Sequence, residues 1–230
     1  MSRAFDLASS AVAFALRGGV GYTARPAARQ PQKLLELYDF EACPYCRRVR
    51  EALSEFDFDA MIFPCPKRGT RFRPRVVELG GQAQFPFLVD PNTGRAMYES
   101  ADIVTYLRET YDAPEPPRFQ GSLGIATGSL ASGVRFAHGR RARSSRAPTL
   151  PLELWSFEAS MYARLAREAL CELELPYVLH NVAKTSPKRE AFVARSGRMM
   201  VPYLVDPNTG RAMFESADIV RYLNETYAVE

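Results

Sequence analysis

Cys43 and Cys46 are separated by two residues in the run Cys43-Pro44-Tyr45-Cys46, a spacing that suits either dithiol exchange or half of a metal site. At the opening of a helix, Cys43 would meet unpaired backbone N–H groups and the positive end of the helix dipole, which favour a thiolate. Cys46 falls one turn further in, where it can resolve a mixed disulfide by attacking the sulfur of Cys43. Pro44 suits the first turn, because the N–H it lacks has no partner there. Arg47 and Arg48 are expected to add positive charge beside the thiolate. Zinc would need two further ligands, and the chain's two histidines, His138 and His180, lie far along the sequence, so no metal is assigned.

Three further features could belong to the same chemistry. Glu99 and Ser100 stand where a helix is expected to open, so the hydroxyl of Ser100 and the first helical amides suit a carboxylate while Glu99 suits an ammonium. The alternative is that Ser100 is an N-cap and Glu99 a surface acid. Cys65 ends an expected strand that runs parallel to the strand before Cys43, which puts it at the same sheet edge as a third thiol. It could form an alternative disulfide or ligate a cluster, or simply be a small residue between Pro64 and Pro66. Cys171 is read as core.

The chain has 230 residues, 47% hydrophobic and 24% charged, the balance of a globular protein with enough apolar material for two cores. Four cysteines are too few for a disulfide scaffold, and the pair at Cys43 and Cys46 favours a reducing compartment. No run approaches the roughly 18 apolar residues that cross a bilayer. The formal charge of +4 is small, and in its one basic run, from Arg135 to Arg146, the stretch His138 to Arg146 lacks interleaved aromatics. It is expected to be a solvated linker rather than an anionic-partner site, and nucleic acid is not expected as a partner. Residues 8 to 22 are apolar and small and read as a short helix packed on the first domain, with a targeting or membrane-surface role as the alternative.

The elements that position these residues occur twice. The segment from Phe85-Pro86 to Val104 recurs from Val201-Pro202 to Val220 at an offset of 116, with Asp-Pro-Asn-Thr-Gly identical in both. Upstream, Leu35 to Ala42 matches Leu152 to Ala159 at an offset of 117. A repeat of this length is a whole domain rather than a solenoid unit. Within the first copy, Leu34 to Phe40 reads as a strand, and the segment after Cys43 as a helix with Val49, Ala52, Leu53 and Phe56 on one face. A strand from Asp59 to Pro64, a short helix from Arg75 to Leu79, a hairpin turning at Gly94, and a closing helix capped by Ser100 follow. The expected layout is a leader over 1–33, a domain over 34–112, a linker over 113–150 and a second domain over 151–230. The echo of the chain's start at Leu130 to Val134 suggests a leading helix for each copy.

This order of a β-α-β unit, a hairpin and a helix, with a dithiol between first strand and first helix, is that of the thioredoxin fold. The chain therefore reads as α/β, two tandem thioredoxin-like domains, each a mixed four-stranded sheet flanked by helices. Cys43-Pro44-Tyr45-Cys46 resembles the glutaredoxin active site, and Phe85-Pro86 followed by Glu99-Ser100 resembles the N-terminal domain of glutathione transferases. The tandem arrangement is similar to two-domain glutaredoxin-like proteins of bacteria and photosynthetic organisms. The resemblance implies glutathione as cofactor, with Tyr45 beside it and a cis Pro86 facing Cys43. It further implies that the backbone of Phe85 pairs with a bound peptide's cysteine, and that Glu99 and Ser100 hold the γ-glutamyl end.

The second copy differs at the reactive centre. Cys43 maps to Ser160 and Cys46 to Ala163, so dithiol exchange is lost, while Val201, Pro202, Glu215 and Ser216 remain. The hydroxyl of Ser160 could still donate to a bound thiolate, and a structural or binding role is expected there. The chain ends soon after Tyr227 without the helical domain that forms the electrophile pocket of transferases, so that activity is not expected.

Together these readings predict a glutathione-dependent thiol-disulfide oxidoreductase acting through Cys43 and Cys46. Its partners would be glutathione and thiol or disulfide substrates, its two copies an intramolecular pseudo-dimer, and its location the cytoplasm or an organelle such as a plastid. The alternatives are an iron-sulfur cluster protein and a redox-inert interaction module.

Overall fold

The computed structural model describes residues 20–115 and 138–229. Both faces of β1 (Leu35–Asp39) are covered: Leu35 and Leu37 point into one apolar cluster and Tyr38 into another, and only Glu36 is half-buried. The first half continues with α1 (Pro44–Phe56), β2 (Ala60–Pro64), α2 (Arg73–Gly80), β3 (Phe87–Asp90), β4 (Arg95–Met97) and α3 (Ser100–Tyr111). The second repeats the order as β5 (Leu152–Ser156), α4 (Met161–Glu172), β6 (Tyr177–Asn181), α5 (Arg189–Ser196), β7 (Tyr203–Asp206), β8 (Arg211–Phe214) and α6 (Ser216–Tyr227). α2 is longer than its apolar pattern suggested and stops where Gly81 takes φ +85°.

β1 and β2 are parallel, β3 is antiparallel to β1 and β4 to β3, and β5 to β8 pair in the same way. The expected separate four-stranded sheets are instead one sheet of eight strands, ordered β4-β3-β1-β2-β6-β5-β7-β8. The joint is antiparallel pairing of β2 with β6, Ile62 opposite Tyr177 and Ala60 opposite Leu179. Each half would otherwise present an unpaired edge at β2 or β6, and pairing the two satisfies both. One continuous apolar core follows, in which Leu53, Phe56 and Leu107 of the first half share a cluster with Leu170, Leu173 and Leu223 of the second. α1 and α3 lie on that face, and α2 and α5 cover two smaller clusters on the opposite face.

α1 shows what the joint does. An amphipathic helix ordinarily leaves its polar face to solvent. Here Arg47, Arg50, Glu51, Ser54 and Glu55 are all buried, because the second half covers that face.

The described part of the leader, residues 20–33, is not helical. It is an extended strap that exchanges backbone hydrogen bonds with the other half, Ala24 N to Lys184 O at 2.6 Å and Lys184 N to Tyr22 O at 2.8 Å, before Arg25 N returns to Glu55 O. The basic run, expected to be a solvated linker, forms the matching strap. Lys67 N donates to Arg140 O at 2.6 Å, Ala142 N to Lys67 O at 2.9 Å, and Arg143 N to Glu172 O at 2.7 Å. Only its side chains stay in water; its backbone is docked. Gly139, at φ +71°, sits where an added Cβ would lie 2.7 Å from Cβ of Glu41, so no side chain fits at that crossing. The expected helix within residues 8 to 22 and the echo at Leu130 to Val134 fall outside the described residues, apart from the strap at 20–22. Among the described residues no helix is long and apolar enough to cross a membrane.

Candidate functional site

Cys43 is the N-cap of α1, with extended backbone at φ −82° and ψ 122°, and its sulfur accepts a hydrogen bond from Cys46 N at 3.3 Å. This is the capping geometry the sequence anticipated, with a thiol in the place usually taken by a hydroxyl or carboxyl oxygen. Donation from the Cys46 thiol, which outweighs an opposing effect of burial, holds the Cys43 thiol below its ordinary range, with help from the first amides of the helix and from Arg50. Cys46 is fully buried, and burial pushes its thiol well up. One sulfur is thus poised as the nucleophile and the other is kept protonated.

The arginine that acts on Cys43 is not the one expected. Arg47 is buried and committed to Glu51 at 3.1 Å and Glu158 at 3.7 Å. Arg50, two turns into α1, is fully buried in a cluster of ions that joins the halves. It meets Asp39, Glu41 at 3.3 Å and Glu158 at 3.0 Å, while its counterpart Arg167 meets Glu158 at 3.0 Å and Glu41 at 3.2 Å. Each half therefore lends a carboxylate to the other's arginine. The cluster is duplicated except at Asp39, whose counterpart is Ser156; Arg167 Nη1 donates to that hydroxyl at 3.3 Å. Burial raises the Asp39 carboxyl to about 6 against the pull of Arg50. Sequence reading missed Asp39 and this cluster, because charged residues on a strand end and a helix face carry no signal that another part of the chain will cover them.

The cis bond expected at Pro86 is present. Phe85-Pro86 is a cis peptide, as is Val201-Pro202. The Phe85 ring meets Phe40 edge-on at 6.2 Å and carries the Arg73 guanidinium 4.6 Å above it. Arg73 also donates to the carbonyls of Pro66 at 2.7 Å and Cys65 at 3.1 Å. Its position at the first turn of α2 gave no sequence signal. Tyr45 is 48% exposed beside the buried Cys43.

Glu99 and Ser100 trade the places expected of them. Ser100 is not the cap of α3 but its first residue, buried at 4% exposure, and the N-cap is Glu99, with no side-chain cap bond. Glu99 has φ +62° and its carboxylate accepts from Gln84 Nε2. A glutamate in the left-handed region stores backbone strain, which tends to collect at binding sites. Glu215, with φ +67°, repeats it ahead of a buried Ser216.

Cys65 does follow β2 at the edge shared with Cys43, since Asp39 pairs with Pro64 in the parallel register. Its side chain, however, is fully buried, its thiol donates to Phe63 O at 3.4 Å, and burial pushes its pKa far up. Val182 fills the matching place in the second half's aromatic cluster, so Cys65 packs as an apolar residue there and offers no accessible thiolate. Cys171 is buried as expected, and its thiol additionally donates to Gly139 O at 3.2 Å under the strap.

Ser160 reproduces the geometry of Cys43. It is the N-cap of α4 at φ −69° and ψ 113°, accepts from Ala163 N at 3.2 Å, and stands beside a Tyr162 that is 47% exposed.

The sequence matches the family described as the N-terminal domain of glutathione S-transferase over residues 37–116 and again over 154–230. No curated protein matches the chain. Among solved structures, it is similar to a glutathione transferase of Bombyx mori (23% identity, 36% of this chain and 38% of that one, TM-score 0.29) and a delta-class transferase of Nilaparvata lugens (27%, 35% and 37%, TM-score 0.29). A trimeric glutathione transferase of Leishmania matches at 14% identity over 86% of this chain and 68% of that one, with TM-score 0.31. The chain thus spans less than two fifths of the first two structures.

Proposed function

The chain belongs to the glutathione S-transferase N-terminal domain family, for which glutathione is the implied ligand, and on that footing we propose that it is a glutathione-dependent thiol-disulfide oxidoreductase. The observation that carries the proposal is the split between the two thiols, Cys43 held low at the N-cap of α1 and Cys46 buried and held high. A redox-inert module would pair a buried Cys43 with an ordinary thiol; here the thiol is buried and lowered.

In this reading the Cys43 thiolate attacks the glutathione sulfur of a mixed disulfide. The S–S bond to the substrate breaks, the substrate leaves as a thiolate that takes a proton from water, and Cys43 becomes glutathionylated. A second glutathione thiolate then attacks the bound sulfur and gives glutathione disulfide. Alternatively Cys46, once deprotonated, displaces glutathione and leaves a Cys43–Cys46 disulfide. Glu99 and the amides of α3 would hold the γ-glutamyl group, and the wall at Phe85 and cis Pro86 would align the peptide backbone.

The second half, built on Ser160, Val201, Pro202, Glu215 and Ser216, would bind glutathione or a partner without exchanging disulfides. Ser160 Oγ accepts from Ala163 N, so its own proton is available to a bound thiolate. The two halves then work as an intramolecular pseudo-dimer with one reactive site.

Reduction of a small glutathione mixed disulfide by wild type and by Cys43→Ser tests the proposal. Activity should vanish in the variant, and equal activity in both proteins would end the assignment.

A further inference from the structure

The strap at residues 138–146 brings the basic run against a second basic segment. Lys67 and Arg68 follow β2, and the pairing of Lys67 with Arg140 and Ala142 zips them alongside Arg140 and Arg141. Arg68, Arg71 and Arg143 line a cleft of about 400 Å³ with Thr70, Ser144 and Ser145. Of the six cations, Arg71 is half-buried and the other five are exposed. Two acids, Glu172 and Glu174, stand among them, and both are already engaged: Glu172 accepts from Gly139 N at 2.9 Å, and Glu174 from Thr70 N and Arg71 N at 3.2 and 3.1 Å. Glu172 also reaches Arg143 at 3.8 Å, and the cations of the seam still outnumber its acids.

The other half supplies an internal comparison. Its strap makes the same backbone pairings with Tyr22 and Thr23 where this one has Arg140 and Arg141, and its loop has Thr185 in place of Arg68. Of its other cations, Arg25 pairs with Glu55, Lys188 with Asp59 at 2.8 Å, and Lys184 stands 5.9 Å over the Tyr22 ring. Docking a strap therefore does not require arginines at these positions, and their concentration in one seam calls for a reason other than folding.

We propose that this seam is a docking surface for an acidic segment of polypeptide. The cations are spread along two paired extended segments, which suits carboxylates spaced along a chain better than one compact anion. Arg73 joins the seam to the candidate site, since it donates to Cys65 and Pro66 at the start of the basic loop and covers the Phe85 ring. An acidic segment seated here would lie beside the wall formed by Phe85 and Pro86. The docking itself needs no redox step, so its failure and that of the proposed activity are read separately.

The test is fluorescence anisotropy of a fluorescein-labelled oligoglutamate peptide against the 230-residue chain. Binding should weaken as ionic strength rises. Arg68→Thr/Arg140→Tyr/Arg141→Thr installs the residues the other strap and loop already carry, and should lower affinity about tenfold or more. Arg95→Thr/Arg211→Thr/Arg221→Thr removes equal charge elsewhere and should leave binding unchanged. Circular dichroism checks both folds, and Arg140→Tyr alone gives the same direction should the triple variant not fold. Equal weakening by both triple variants, no change with the seam variant, or tighter binding of tripolyphosphate or oligothymidylate than of the peptide would overturn the proposal.

Discussion

Arg50 of the first half and Glu158 of the second meet at 3.0 Å in the middle of the molecule, both buried, seven residues along the helix that Cys43 opens. The cation that helps hold the Cys43 thiolate is therefore fixed by a carboxylate from the half that has lost its thiols. Removing one member of a buried ion pair leaves an uncompensated charge, which typically costs about 3–5 kcal/mol. Arg50→Met should accordingly destabilise the protein by about that much, and tryptophan fluorescence from Trp155, in the other half, should report the same unfolding transition as circular dichroism. Separate transitions in the two signals would show that the halves fold independently.

The largest influence lowering the Cys43 thiol is donation from the Cys46 thiol. Cys46→Ala removes that donor and should move the pH midpoint of Cys43 alkylation by iodoacetamide upward, while Cys43 remains the residue labelled. An unchanged midpoint would assign the shift to the helix amides and Arg50.

Two buried acids in the cluster titrate in opposite senses. Glu158 is held down at about 2 by Arg167 and Arg50, against burial, so its stabilisation is complete above the ordinary value of 4.5 and is lost as pH falls toward 2. Asp39 is raised to about 6 by burial, so the stability associated with its protonated form is present below 3.8 and is lost as pH rises through 6. Asp39→Asn should therefore flatten the stability profile between about pH 4 and 6, and Glu158→Gln should flatten it below about 4.5, at a cost in overall stability. Denaturant titrations across this range will show it.

Glu99 has a backbone conformation that suits glycine better than glutamate. Glu99→Gly should relieve strain of order 1 kcal/mol and raise the melting temperature, while weakening glutathione binding measured by calorimetry. A less stable variant with intact binding would mean that the carboxylate serves the fold through Gln84 rather than the ligand.

Much of this was legible in the residues. The spacing of Cys43 and Cys46, the copy at Ser160 and Ala163, and the two Pro-containing turns are local facts, and local facts fix which helix opens on which side chain. The doubled run from Phe85 to Val104 announced two copies of one α/β unit because the same apolar periods recur in the same order. Cys43 at an N-cap, with a buried Cys46 one turn on, follows from helix geometry alone.

How the copies meet was decided only in three dimensions. β2 and β6 look like ordinary strands, and nothing in Ala60 to Pro64 states that its free edge will pair with Tyr177 to Asn181. The polar side of α1 reads as a solvated face until Glu158, Asn181 and the strap at Arg25 cover it, so Arg47 belongs to Glu51 and Glu158 and not to the thiolate. The run at Arg140 to Arg143 reads as a solvated linker until its backbone finds Lys67. Sequence determined the chemistry of each half through contacts close along the chain. Tertiary structure determined which charges are buried, because burial depends on surfaces supplied by residues more than a hundred positions away.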